Sequence, residues 1–176
     1  SEADISTCIL DDESRYVEIW NLVFMQFEKF KNQDGEIEKK PLPSPSVDTG
    51  AGLERVAAVL QGKYNNFDTD CFSKIISEIS ELSNMKYADY PQWFRVVADH
   101  VRSSTMLLSD GVLPSNEGRG YVLRRIIRRA VRHLDLLGVK NTSFYLLVDS
   151  VIEGLKETYP ENYKNAEFVK KYLKIE

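Results

Sequence analysis

The sequence predicts an α+β fold that is mostly α: short antiparallel strands followed by a helical bundle. Three observations carry that reading. Residues 16–30 are dense in Val, Ile, Phe and Trp and contain neither Gly nor Pro, the composition of a strand. Asp34 and Gly35 follow within a few residues, a hairpin signal. From Leu53 onward, apolar residues recur at three- and four-residue spacing in segment after segment, the period of amphipathic helices.

In chain order, residues 1–14 are polar and acidic apart from residues 8–10, and an incompletely ordered lead-in is expected there. A long first strand is expected over 16–30, a turn over 32–35, and a second, exposed strand over 36–40. Pro41, Pro43 and Pro45 force an extended path and lack the N–H that a central ladder needs. Residues 46–49 read as a short strand feeding a glycine turn. Helices are predicted near 52–62, 69–83, 92–109, 118–137, 142–158 and 161–174. Asp68, Thr69 and Asp70 supply a cap for the second. Gly111, Gly118, Gly120 and Gly138 punctuate the middle, and Pro160 ends one helix or opens the next. There is no internal repeat and no low-complexity tract. The change from strands to helices puts a boundary near 64–68, giving a strand-bearing domain over 1–66 and a helical domain over 67–176.

Composition narrows the function classes. Hydrophobic residues make up 43% of the 176 positions, enough for a packed core and too many for a disordered chain. No apolar run reaches membrane-span length, so no membrane partner is expected, and no signal peptide is recognisable. Cys8 and Cys71 are the two cysteines. They form no Cys-x-x-Cys, which argues against a disulfide framework or zinc site and fits a reducing, cytoplasmic setting. The net charge of −4 hides an asymmetry, because six arginines and no acid lie between Arg119 and His133. A basic stripe on an acidic protein marks one specialised face.

Residues 47–61 are the densest segment. Asp48 and Thr49 suit a helix start. Gly50 and Gly52 allow a sharp turn or close approach of a ligand. Glu54 and Arg55 fall in the first turn, where unpaired N–H groups and the positive helix end favour an anion. Leu53, Val56, Ala57, Val59 and Leu60 form a stripe expected to tie the helix to a core. On spacing alone this is equally a capped amphipathic helix behind a glycine turn. Trp20, in an apolar strand, is expected in the core.

The helix expected over 118–137 sorts into two faces. Leu123, Ile126, Ile127, Ala130 and Leu134 lie on one, and Arg124, Arg125, Arg128, Arg129 and Arg132 on the other. A merely solvated face mixes acids among its cations to relieve repulsion. An all-arginine face points to a polyanion. The loop before it, residues 110–120, has turn residues at both ends and carries Asn116, a side chain that can donate and accept at once. Asp99, His100 and Arg102 are expected to brace this loop from the preceding helix. His100 and His133 have no nucleophile to serve and read as structural hydrogen bonders.

The motif Asp48-Thr49-Gly50-x-Gly52-Leu53-Glu54-Arg55 resembles the third signature motif of class II aminoacyl-tRNA synthetases, in the form found in alanyl-tRNA synthetases. Residues 18–27 resemble the strand before it in that family. Residues 95–103 and 114–133 resemble its tRNA-recognition region. The four blocks, in family order, cover most of residues 17–138.

The resemblance implies an ATP-dependent ligase that activates alanine and transfers it to tRNA(Ala). It implies that Arg55 holds ATP phosphates beside Gly50 and Gly52, and that Glu18, with Asn21, serves Mg²⁺. On a regular strand those two side chains would point to opposite faces, so a bulge is expected or only one of them serves. It implies that Asp48 takes the ammonium of alanine, with Val47 near the small side-chain pocket. It implies that Asn116 reads the wobble G·U pair of the tRNA(Ala) acceptor stem, with Arg119, Arg124, Arg125 and Arg128 on phosphates. The family's second G·U reader, its zinc-bearing editing domain and its motifs 1 and 2 have no match in these residues. The isolated chain is therefore expected not to form alanyl-adenylate. The alternative is a stand-alone RNA-binding module without catalysis.

Overall fold

The computed structural model describes residues 16–139, 141–160 and 164–176. The expected lead-in over 1–14, with Cys8, lies outside the described residues. The chain divides into two compact units, residues 1–64 and 65–176.

Among its described residues, the first unit is a two-stranded ribbon and a short helix. β1 (Trp20–Lys31) pairs antiparallel with β2 (Ile37–Ala51). Asn32 closes the turn between them. Its Oδ1 accepts from the backbone N–H of Asp34 at 3.0 Å and of Glu36 at 2.9 Å, an Asx turn. The register runs from Trp20 opposite Ala51 to Met25 opposite Ser46, then resumes with Phe27 opposite Pro41. Gln26 alone therefore faces residues 42–45. The expectation of a short second strand ending before the prolines needs correcting, since β2 is continuous over 15 residues. A two-stranded ribbon leaves one side of each strand unpaired, and this tolerates Pro41. Pro43 and Pro45 sit in the irregular stretch, where no regular ladder bond is needed.

α1 (Leu53–Leu60) starts with Gly52 as its cap residue and no side-chain cap bond. Asp48 and Thr49 are thus not the helix caps expected. Strand pairing continues through Ala51, and the Thr49 hydroxyl is used across the ladder: it donates to the Asn21 carbonyl oxygen at 2.9 Å and accepts from Trp20 Nε1. Trp20 is 62% exposed rather than in a core. The stripe on α1 is likewise mostly uncovered among the described residues, with Leu53 at 71% and Leu60 at 82% exposure and Val56 and Ala57 half-buried, and the buried residue of the helix is Ala58, outside the stripe.

The second unit is helical: α2 (Asp70–Ser83), α3 (Pro91–Ser109), α4 (Gly118–Leu136), α5 (Val148–Leu155) and α6 (Ala166–Ile175). Thr69 is the cap residue of α2, but its hydroxyl donates back to the Asn66 carbonyl oxygen at 2.6 Å. α3 opens with Pro91 at its first turn and buries Phe94, Val97, Val101 and Leu108 on one face, the i, i+3, i+7 stripe of a core-facing helix. α3 and α4 pack along their lengths. Leu123, Ile127, Ala130 and Leu134 of α4 are fully buried, as the wheel predicts, while Ile126 of the same expected face is only half-buried.

α4 ends in a Schellman motif: Gly138 N donates to Asp135 O at 2.8 Å and Val139 N to Leu134 O at 3.1 Å. Gly138 has φ +78°, a conformation glycine adopts without strain. The helix expected over 142–158 begins instead as a 3₁₀ stretch, Asn141–Leu147, and becomes α-helical at Val148. Buried Phe144 and Leu147 are three residues apart, the repeat of a 3₁₀ helix. Of the helix expected over 161–174, residues 161–163 lie outside the described residues and α6 begins at Ala166. No helix among the described residues is long and apolar enough to cross a membrane.

Candidate functional site

In the first unit, the start of β1 and the end of β2 bring five of the sequence-predicted residues together. Glu18 precedes β1, free of the strand's alternation. Asn21 Nδ2 can therefore donate to Glu18 Oε1 at 3.2 Å although the two are three residues apart. Asn21 lies opposite Gly50. A Cβ on Gly50 would stand 3.1 Å from Asn21 Oδ1, so the glycine leaves room for the amide. Arg55 Nη1 donates to the Glu18 carbonyl oxygen at 2.6 Å, and Gly52 N donates to the Ile19 carbonyl oxygen at 3.0 Å. Glu18, Asn21, Gly50, Gly52 and Arg55 thus form one exposed cluster at a helix N-terminus.

Asp48 shares a face with Gly50 and Asn21 by strand alternation, and its Oδ1 accepts from its neighbour's N–H, Thr49 N, at 2.8 Å. Val47 projects from the opposite face, 60% exposed. The structure does not bring it beside Asp48. Among the described residues no group of three or more His, Cys, Asp or Glu could hold a metal ion. The donor set here is one carboxylate and one amide. It fits Mg²⁺ only as an ion held chiefly by phosphates and water, which is how Mg²⁺ is usually bound.

The second unit carries a basic groove of about 670 Å³ between α3 and α4. It is lined by His100, Arg125, Arg128, Arg129, Arg132 and His133 over the apolar floor of Val122 and Ile126. His133 Nδ1 bonds the Arg129 carbonyl oxygen at 2.7 Å, and His100 Nδ1 bonds Asp99 Oδ2 at 2.8 Å. Both histidines are structural bonders through Nδ1. The His100 bond holds the Asp99 carboxyl below its usual value, with Arg102 and Arg129 adding to the effect and partial burial opposing it. Arg102 stacks its guanidinium 4.1 Å from the Phe72 ring centre, which points it at α2.

At the N-terminal end of α4, the loop of residues 110–117 is held by a bond within it and by one from α4. Ser115 Oγ donates to the Glu117 carbonyl oxygen at 2.7 Å. Arg124 Nη1 donates to Asn116 Oδ1. Arg124 Nε lies 2.7 Å from Glu176 Oε1, an ion-pair distance although the N–H does not align as a hydrogen bond. Arg128 Nη2 donates to the same oxygen at 3.0 Å. Arg119 and Arg125 are exposed.

The sequence model of the family described as "tRNA synthetases class II (A)" matches residues 3–176. The chain belongs to this family. Alanine–tRNA ligase from Hydrogenovibrio crunogenus is 53% identical over 166 residues, 94% of this chain and 19% of that protein. The Fusobacterium nucleatum alanine–tRNA ligase is 49% identical over 167 residues, 93% of the chain and 19% of that protein. That from Thermotoga maritima is 49% identical over 169 residues, with 94% and 19% covered. The chain spans about a fifth of the length of the curated relatives it matches.

Sequence reasoning about this class II synthetase chain missed Thr49, which ties Trp20 to Asn21, and Glu176, which gathers Arg124 and Arg128. Thr49 could have been found from its place opposite Leu22 in the hairpin. Nothing local flags Glu176.

Proposed function

We propose that this chain is part of an alanine–tRNA ligase, a cytoplasmic enzyme that condenses alanine with ATP and transfers the alanyl group to tRNA(Ala). The observation that carries the reading is near-50% identity to alanine–tRNA ligases across almost the whole chain, both units included. Activation is an in-line attack of the alanine carboxylate on the α-phosphate, helped mainly by positioning and charge. In the first unit, Arg55 holds ATP phosphates with the guanidinium N–H groups left over from its bond to Glu18. Gly50 and Gly52 keep the backbone clear beside it. Asp48 pairs with the alanine ammonium, an interaction that neutral analogues forfeit. Glu18, with Asn21, would hold Mg²⁺, which supplies charge neutralisation on the phosphates when bound.

In the second unit, the helical tRNA-recognition domain, Asn116 reads the acceptor stem from the loop. Arg119, Arg125 and Arg128 meet phosphates, with the α3–α4 groove alongside. The wide, shallow minor groove of RNA admits a loop-borne amide.

Two measurements test this. The full chain should bind an acceptor-stem hairpin with a G·U pair more tightly than its G·C counterpart. The full-length protein should catalyse alanine-dependent ATP–pyrophosphate exchange. RNA binding without exchange by the full-length protein would leave only an RNA-binding module. Failure of both would discard the reading.

A further inference from the structure

Asn116 and Arg124 meet where the loop joins α4, with Arg124 Nη1 on Asn116 Oδ1. A guanidinium carries donors only, so the amide atom facing it has to be the oxygen. The chemistry of the partner, rather than the shape of the amide, therefore decides which way round Asn116 sits. Its Nδ2, with both N–H groups, is turned away from Arg124. Arg124 is itself restrained, with Glu176 Oε1 2.7 Å from Nε and Arg128 closing on the same oxygen at 3.0 Å. The Arg124 side chain is 24% exposed and that of Glu176 8%, against 64% for Arg128. Arg124 is thus the less exposed of the two arginines that share Glu176, and the one that also holds Asn116.

We propose that Arg124 is a positioning residue rather than a phosphate contact: it fixes Asn116 as a hydrogen-bond donor toward RNA, so the group read at this position must be an acceptor. This rests on the reading of Asn116 as the base-edge reader. The minor groove offers acceptors at purine N3, pyrimidine O2 and the ribose 2′-hydroxyl, and a donor at guanine N2. An amide free to turn serves both classes and separates neither. Locked by Arg124, it serves the acceptors alone, and the adjoining positive charge polarises its N–H groups further. Glu176 completes the device by holding Arg124 without competing for the amide, since a carboxylate has no donor to offer Asn116.

The test uses the full chain and acceptor-stem hairpins carrying single-atom deletions or weakenings of one acceptor at the G·U pair: 3-deazaguanosine, 2-thiouridine or a 2′-deoxy sugar. One of these should weaken binding about 3- to 10-fold, the worth of one net hydrogen bond. Asn116→Ala should abolish that sensitivity. Arg124→Gln should abolish it too, with the double variant no worse than either single one, and Arg124→Lys, which keeps a charged donor, should retain part of it. No sensitivity in the unsubstituted protein overturns the proposal. So does sensitivity kept in Arg124→Gln while all hairpins weaken equally and the salt slope falls by about one, the mark of a phosphate contact. Sensitivity kept in Asn116→Ala sinks the underlying reading as well, which separates the two failures. Should Arg124→Gln not fold, Asn116→Asp decides: it keeps an oxygen for Arg124 and removes the donors, so retained sensitivity overturns the proposal.

Discussion

Gly120 lies so close to Leu113 that a Cβ at Gly120 would overlap the Leu113 carbonyl oxygen and the Ser115 hydroxyl, with Ser115 Cβ only 2.9 Å away. The loop is laid directly on the first turn of α4, and this contact sets Asn116 within reach of Arg124. One of the obstructing atoms belongs to the backbone and cannot swing aside. Gly120→Ala should therefore cost about 1–3 kcal/mol in urea unfolding, the range for overpacking. If Asn116 reads the acceptor stem, the same change should also blunt that discrimination. Gly154→Ala, where a Cβ would meet nothing within 4 Å inside α5, is the control and should stabilise by about 0.5–1 kcal/mol. A neutral Gly120→Ala would refute the tight loop packing.

Adjacent residues of α4 should fail in different ways. Ile127 is fully buried in the helical core, and the Arg128 side chain is 64% exposed. Ile127→Ala should cost about 2–5 kcal/mol of stability. Arg128→Gln should leave the unfolding midpoint near its original value. It should weaken all RNA duplexes alike and lower the salt slope of binding by about one. Arg125→Gln, Arg129→Gln and Arg132→Gln should behave as Arg128→Gln does if the groove follows the RNA backbone. An unchanged salt slope in all four would remove the groove from the interface.

Asp99 gives a pH signature. Its carboxyl is held below the ordinary 3.8, first by the hydrogen bond to His100. A carboxylate with a depressed folded-state pKa adds stability that is fully present above its unfolded value and is lost as pH falls through the folded one. The effect therefore belongs below about pH 4, at the acid limb. Asp99→Asn should lose stability near neutrality and converge on the parent protein as pH drops. With the Asp99 side chain 45% exposed, solvent screening keeps the effect modest. Parallel stability curves down to the acid transition would show that Asp99 makes no such contribution.

How much of this could be read from the sequence depends on how local each cause is. α3 and α4 were legible almost to the residue, because a long apolar stripe such as Phe94, Val97, Val101 and Leu108 admits one period. The arginine face of α4 was legible for the same reason. β2 was not, because the rule against proline in ladders holds for central strands, and nothing local says that the ribbon formed by the described residues is two-stranded. The caps on α1 failed through competition: Thr49 could have capped the helix, but Trp20 and Asn21 claim its hydroxyl across the ladder. Composition cannot tell Arg124 from Arg125. The structure places Arg124 beside Glu176, 52 residues on, and contacts at that separation leave no trace in spacing.

Gly52 and Arg55 lie close together in the first unit. A Cβ on Gly52 would stand 3.0 Å from Arg55 Cδ and 3.3 Å from its Cβ. The Arg55 stem therefore passes over the glycine on its way to the Glu18 carbonyl oxygen, 2.6 Å from Nη1. Gly52→Ala would push the stem outward, and a flexible side chain can yield, so the fold should tolerate it. The consequence should fall on ATP instead. If Arg55 holds a phosphate through a charge-assisted bond worth about 1.5–3 kcal/mol, Arg55→Gln should lower kcat/KM for ATP about 10- to 150-fold in pyrophosphate exchange by the full-length protein. Arg55→Lys should recover only part, because an ammonium lacks the planar fork that can hold both a carbonyl and a phosphate. Gly52→Ala should give a smaller loss of the same kind, with KM for alanine unaltered, since Asp48 sits on the strand and does not depend on the path of Arg55. Full activity in Arg55→Gln would exclude it from the ATP site. A rise in KM for alanine in Gly52→Ala would mean that the turn positions Asp48 as well.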